Sequence, residues 1–171
     1  MDKPIINKVA QSGLLTINLE KEIPKMTIKH FDLTAFLFQG LILKEQDFRQ
    51  QLKELDWRDY QDELVMITCT TDVIIPQWAY MLVATYLRPV ARDSYWGLEE
   101  EQLQLQLLIN WIRTKDWSLF ADERVIIKGC GTIPFAELLY FEITKCLHPI
   151  VKSIMYGEPC STVPVYKKKT S

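Results

Sequence analysis

The chain has 171 residues, of which 48% are hydrophobic and 25% are charged. This composition is typical of one globular domain with a sizeable core, and it excludes a disordered or fibrous protein. The net charge of −2 lacks the basic excess that nucleic-acid binding requires. We interpret the basic run at residues 167–169 as a solvated tail rather than a phosphate-binding patch.

No segment of the sequence has the pattern of a membrane span or a secretion signal. Residues 1–11 alternate between polar and apolar types, and no apolar run approaches the ~20 residues of a membrane span. We therefore expect a cytoplasmic protein with no membrane partner. In that reducing compartment the four cysteines are expected to be free thiols, metal ligands or catalytic groups.

The N-terminal segment has the least regular pattern. Residues 32–38 fit a short helix that Asp32 caps and Gly40 ends, with a strand over residues 36–38 as the alternative. The other predicted elements are a helix over residues 5–10 and strands over residues 14–19 and 26–28.

A pattern of about sixty residues then occurs twice, as in the segments that contain Trp57 and Trp117. Each copy predicts a helix, a buried strand, a second helix and a second strand. In the first copy the helices are residues 44–55 and a segment from Pro76 to before Pro89, and the strands are residues 63–69 and 90–97. In the second copy the helices are residues 99–113 and 134–147, and the strands are residues 123–130 and 150–157.

Strands separated by helices form parallel pairs with right-handed connections. The sequence therefore predicts an α/β fold with one mainly parallel sheet of about four core strands and flanking helices. We expect one compact domain, in which a strand at residues 14–19 adds an edge. Its predicted segments are an N-terminal strand and helix segment packed on the core (1–40), the two repeats (41–97 and 98–157), and an irregular segment with the basic tail (158–171).

Three cysteines are expected at one edge of this sheet, because the carboxyl ends of parallel strands share an edge where ligands bind. Cys69 and Cys130 end two strands, and Cys160 follows the end of a third. Such thiolates can bind Zn or Fe, with Asp72, Glu158 or water as the fourth ligand. The alternative is packing, because no CxxC spacing occurs and free cysteine is often buried.

Two further residues, Glu142 and Asp72, have two interpretations each. The fourth cysteine, Cys146, is expected apart from the other three. Glu142 lies on an apolar helix stripe, where a carboxylate is either paired and structural or catalytic with a raised pKa. Asp72 either binds a cation or caps the helix at Pro76. Cys146 is expected at the opposite edge of the sheet, simply buried.

Several blocks of this sequence resemble a bacterial family catalogued as domain of unknown function 2480. The resemblance covers about residues 5–167, and Cys69, Cys130 and Cys160 each lie inside a family block. The family has no established activity, but its members are often encoded beside sulfur-mobilisation genes for iron–sulfur cluster assembly. The resemblance therefore implies iron–sulfur assembly proteins as partners. The quoted blocks are FQGLILKE at 38–45, IIPQWAYM at 74–81, KGC at 128–130 and GEPCSTVPV at 157–165.

These observations leave three classes of function open. The leading hypothesis is a cytoplasmic accessory protein with a cysteine-lined metal or sulfur-handling site, linked to iron–sulfur assembly. The second is an enzyme in which Cys160 is the nucleophile and Glu158 the acid or base. The third is a non-catalytic interaction module that forms a homodimer through aromatic residues and uses its cysteines only for packing.

Overall fold

The computed structural model describes residues 13–129, 132–158 and 160–169. The predicted helix over residues 5–10 and Cys130 lie outside these ranges. The chain divides into two compact units, which we name the central unit (Lys25–Gln104) and the split unit (Met1–Pro24 with Leu105–Ser171). The predicted boundaries at residues 40, 97 and 157 stay predictions.

Short strands and helices alternate along most of the described chain. No helix in these ranges is both long and apolar enough to cross a membrane. The strands are β1 (Leu14–Ile17), β2 (Ile28–Asp32), β3 (Leu64–Thr68), β4 (Asp93–Trp96), β5 (Arg124–Ile127), β6 (Ser153–Glu158) and β7 (Ser161–Lys167). The helices are α1 (Leu19–Glu22), α2 (Glu45–Glu54), α3 (Gln77–Leu87), α4 (Glu100–Thr114) and α5 (Ala136–Leu147), with 3-10 turns at Leu33–Phe36, Trp57–Tyr60 and Ser118–Phe120.

The predicted α/β class with mainly parallel strands is confirmed, but the strands form two sheets instead of one. The central unit contains the order β2-β3-β4, and the split unit contains β1-β5-β6-β7. Neighbouring strands are parallel except β6 and β7, which are antiparallel. The expectation of a single sheet was wrong because alternating helices and strands predict parallel pairing without saying which strands pair. The segment at residues 14–19 does provide an edge strand, β1.

The core of the central unit surrounds β3. All four residues from Leu64 to Ile67 are buried, as expected for a strand covered on both faces. Helix α2 buries Phe48 and Leu52 against this core, and α3 buries an apolar stripe that includes Val83. Each fully buried side chain of this size stabilises the fold by about 1.5–3 kcal/mol.

The core of the split unit includes β5, which lies between β1 and β6. Val125, Ile126 and Ile127 are buried. Helix α5 buries Leu139, Ile143 and Leu147 at the spacing of one helix face. The buried strand and the helix stripe agree with the periodicity in the sequence.

Several contacts recur at an offset of sixty residues. Asp62 and Asp122 both have left-handed backbones, with φ of 59° and 54°. The Asp62 N–H donates to the Val90 carbonyl at 2.9 Å, and the Asp122 N–H donates to the Ile150 carbonyl at 2.8 Å. These contacts are what an internal repeat predicts, and the repeat itself stays a prediction.

Two tryptophans hold the carboxyl ends of helices α2 and α4. The Trp57 indole N–H donates to the Leu52 carbonyl, and the Trp117 indole N–H donates to the Ile112 carbonyl, both at 2.8 Å. Both carbonyls belong to the last turn of a helix, where they have no intrahelical partner. The two side chains therefore join each helix end to the turn that follows it.

The tryptophan contacts lead to a stability prediction. Trp117 is buried and Trp57 is half-buried, so water can replace the lost donor only near Trp57. We expect Trp117→Phe to lower the free energy of unfolding by about 2 kcal/mol, because it leaves a buried carbonyl unpaired. Trp57→Phe is the matched control and should cost less. Urea denaturation followed by circular dichroism measures both, and equal losses would contradict the argument.

Candidate functional site

A polar cleft opens at the carboxyl edge of the sheet in the central unit. Its volume is about 850 Å³, within the range of small-molecule sites. The lining residues come from the end of β3 and the loop after it, from α3, and from the segment between β4 and the start of α4. Open α/β sheets bind ligands at this edge, beyond the carboxyl ends of parallel strands.

The parallel register of the three strands forms this edge. Asp32, the last residue of β2, pairs with Thr68, the last residue of β3. On the other side Ile67 pairs with Trp96, the last residue of β4. All three strands therefore end at one level, and the loop from Cys69 to Pro76 passes over that level before α3 begins.

Asp32 anchors the loop that follows β3. Its carboxylate accepts hydrogen bonds from the Thr34 N–H at 2.9 Å and from the Thr70 hydroxyl at 2.8 Å. The Thr70 N–H also bonds the Thr34 hydroxyl at 3.0 Å. Burial would raise the pKa of the Asp32 carboxyl group, but the hydrogen bonds from Thr34 and Thr70 outweigh burial and lower it. Asp32 is therefore a positioning residue for the cleft wall.

The thiol of Cys69 lies in this wall. The side chain is half-buried, and its sulfur donates a hydrogen bond to the Thr71 carbonyl at 3.4 Å. The Thr34 hydroxyl lies 3.8 Å from the same sulfur. These two contacts fix the position of the sulfur in the cleft wall.

Aromatic and acidic side chains also line the cleft. The rings of Tyr80 and Trp96 lie 4.3 Å apart, and Trp96 is 56% exposed. Asp72 and Glu99 supply carboxylates. No lysine or arginine is among the described residues that line the cleft. The arrangement favours a neutral or cationic ligand over an anion.

The predicted thiol rim divides between the two units. Cys69 and Asp72 line the cleft of the central unit, whereas Glu158 and Cys160 belong to the split unit. Cys130 lies outside the described residues. One shared sheet edge was the premise of the rim, and that premise was wrong because the strands belong to two sheets. Across the described ranges no group of three His, Cys, Asp or Glu side chains has the geometry to hold a metal ion.

At the carboxyl edge of the split unit, Lys128 and Glu158 form an ion pair. The Lys128 ammonium lies 3.1 Å from Glu158 Oε2. Glu158 Oε1 is buried without a hydrogen-bond partner in the described part of the chain. Cys160 is exposed between β6 and β7. Gly157 allows β6 and β7 to approach closely, because a Cβ atom there would lie 2.5 Å from the Ser161 carbonyl oxygen.

Glu142 and Cys146 form part of a structural cluster on α5. Glu142 is buried and pairs with Arg113 and Lys145, each at 2.9 Å. Hydrogen bonds from Arg113 and Lys145 lower the pKa of the Glu142 carboxyl group. Burial, together with the charge of Glu142, raises the pKa of the Cys146 thiol. Glu142 is thus a paired structural carboxylate, and Cys146 fits an unreactive thiol.

Of the two interpretations of Asp72, capping of α3 is not found. The N-cap residue of α3 is Pro76, and the described residues supply no side-chain cap hydrogen bond there. Asp72 lines the cleft instead, which leaves the cation-binding interpretation of this residue.

Sequence reasoning did not identify Asp32, Thr34 or Trp96 as residues of the site. Asp32 was expected only to cap a helix, and it does cap the 3-10 turn at Leu33–Phe36. Its contact with Thr70 spans 38 positions and depends on β2 lying beside β3. The run of Thr68, Cys69, Thr70 and Thr71 after a buried strand was the available signal.

A family model described as "Protein of unknown function (DUF2480)" matches residues 3–168 of the chain. This match covers nearly the whole sequence and confirms the resemblance found in its blocks. No curated protein and no solved structure gives a significant match.

The Asp32 contacts predict a pH-dependent loss of stability. We expect Asp32→Ala to lower the free energy of unfolding by about 2 kcal/mol at pH 7, because it removes a charged acceptor of several hydrogen bonds. A carboxyl group with a lowered pKa stabilises the fold above its ordinary value of 3.8, and this contribution is lost as the pH falls through the lowered pKa. The difference between variant and parent should therefore shrink at pH 3.

Urea denaturation at both pH values measures this effect. Asp59→Ala is the control, because it removes an exposed carboxylate from the same unit. A loss of equal size at both pH values would show that the Asp32 carboxylate does not provide the stabilisation.

Proposed function

Since the chain belongs to the DUF2480 family, whose description names no activity, we propose a function from the cleft of the central unit. The protein binds a small neutral or cationic molecule in this cleft, beside the Cys69 thiol. The observation that carries the proposal is the position of Cys69 in the wall of a polar cavity of about 850 Å³ at the carboxyl edge of a parallel sheet.

The charge of the cleft supports a cationic ligand. Two carboxylates, Asp72 and Glu99, line the cavity. Their negative charges attract a cation and repel an anion. Trp96 adds an exposed ring, supported by Tyr80 behind it. An ammonium group over such a ring gains about 0.5–1 kcal/mol at an exposed site.

The Cys69 thiol determines which reactions a bound ligand could undergo in the cleft. The Cys69 sulfur donates a hydrogen bond to the Thr71 carbonyl, so a molecule bound in the cleft lies beside a thiol that already has a partner. Thiolates act as nucleophiles and as ligands for soft metal ions. We propose reversible binding as the primary function, with reaction at sulfur only after the bond to Thr71 breaks.

The metal interpretation stays a prediction beside this proposal. It would use Cys69, Cys130 and Cys160, with Asp72 or Glu158, to bind Zn or Fe. The link to iron–sulfur assembly partners, the homodimer and the enzyme with Cys160 as nucleophile also stay predictions. We propose a cytoplasmic location, because the three described cysteines are free, as is usual in a reducing compartment.

Charged thiol reagents test the proposed ligand class. Methanethiosulfonates that carry a trimethylammonium or a sulfonate group modify cysteines, and mass spectrometry gives the rate at each site. The cation-to-anion rate ratio at Cys69 should exceed the ratio at exposed Cys160 by about fivefold or more, because carboxylates attract the cationic reagent and repel the anionic one.

Substitutions in the cleft test which side chains cause the preference for the cationic reagent. The double variant Asp72→Asn with Glu99→Gln should bring the ratio at Cys69 close to that at Cys160. Trp96→Leu should slow only the cationic reagent. The control is Glu101→Gln, which removes an exposed carboxylate that does not line the cleft. Equal ratios at Cys69 and Cys160 in the parent protein would rule out a cation-selective cleft.

A further inference from the structure

A second cleft in the split unit has the opposite charge. It lies where β5 and β6 begin and β7 ends, and its volume is about 530 Å³. Five basic residues and one acidic residue line it, although the whole chain has a net charge of −2. We propose that this basic cleft binds a small phosphate-bearing anion. The lining residues are Asp122, Arg124, Lys152, Ser153, Lys167, Lys168 and Lys169.

The backbone around the basic cleft is held by the sheet. The Lys152 N–H donates to the Glu123 carbonyl, and the Lys168 N–H donates to the Lys152 carbonyl, both at 2.8 Å. β7 continues to Lys167, which pairs with Ser153 of β6. Lys167 thus belongs to β7 and Lys168 continues its pairing, whereas the interpretation of residues 167–169 as solvated stays a prediction and agrees with their exposed side chains. These lysines project from an ordered strand end, which reduces the entropy lost on binding an anion.

Side chains in register form a donor row on one face of the sheet. Arg124 pairs with Ser153, and Ser153 pairs with Lys167. Strands lie about 4.8 Å apart, so the backbones of Arg124 and Lys167 lie on either side of Ser153, each about one strand spacing from it. The oxygens of one phosphate group can accept bonds from the Ser153 hydroxyl and the Lys167 ammonium together.

The lysines of the basic cleft are largely free to meet an anion. Within the described ranges, the ion pair found among the lysines of the cleft joins Lys168 Nζ to Asp122 Oδ1 at 3.5 Å. Both side chains are exposed. Such a pair contributes little. Lys152, Lys167 and Lys169 are exposed and have no carboxylate within ion-pair distance in the described part of the chain. Like charges held together repel each other, and a multivalent anion relieves this repulsion.

The size of the basic cleft favours a small ligand over a polyanion. The basic residues converge on one concavity of about 530 Å³, which fits a di- or triphosphate group. A nucleic acid would need a basic surface that extends along its backbone, and the nearly balanced chain carries 20 basic and 22 acidic residues.

Titration calorimetry with inorganic pyrophosphate, at constant ionic strength, tests the proposal. The parent protein should bind, and the double variant Lys152→Gln with Lys167→Gln should bind about tenfold more weakly or worse. Asp122→Asn should bind more tightly, since it removes the one carboxylate, and asparagine tolerates the left-handed backbone of this position.

The control is Lys21→Gln, which removes one positive charge on α1 of the same unit, outside the cleft, as each single substitution of the double variant does. It should leave the affinity for pyrophosphate within about twofold. An equal loss in this control would overturn the proposal, as would an unchanged affinity in the double variant. Binding of a single-stranded oligonucleotide without binding of pyrophosphate would also overturn it.

Discussion

The parallel register of β3 with its two neighbours is the constraint on which the candidate site depends. Pairing of Asp32 with Thr68 and of Ile67 with Trp96 brings three strand ends to one level. Beyond that level the chain leaves the sheet, so backbone and side-chain polar groups need new partners. Asp32 supplies them for the loop after β3. One-residue slippage of β2 would move Asp32 to the other face of the sheet and remove the support of Cys69.

The two clefts show that a balanced total charge can conceal local separation. Acidic side chains line the cleft of the central unit, and basic side chains line that of the split unit. Both clefts use strand termini, where side chains from different parts of the chain converge on a fixed backbone. Net charge describes solubility and long-range attraction, whereas ligand preference depends on which charges the strand register brings together.

The sequence predicted individual helices and strands better than it predicted which strands pair with one another. The apolar run after Glu63 predicted β3 and the thiol at its end, and Pro76 predicted the start of α3, because these signals are local. The premise of the thiol rim, one shared sheet, was wrong because strand pairing depends on contacts between distant segments. For the same reason the contact of Asp32 with Thr70 could not be read from the sequence. Lys167 shows the same limit, since its place beside Ser153 depends on the antiparallel return of β7.

The three described thiols differ because of what surrounds each one. Cys146 is held near the Glu142 carboxylate, and burial disfavours its thiolate. Cys160 is exposed, so solvent reaches it directly. Cys69 alone among them combines partial burial, a specific acceptor at the Thr71 carbonyl and a lined cavity in front of it. Asp72, Glu99 and Trp96 line the same cleft, so a molecule beside the sulfur is also exposed to their charges and to the indole ring.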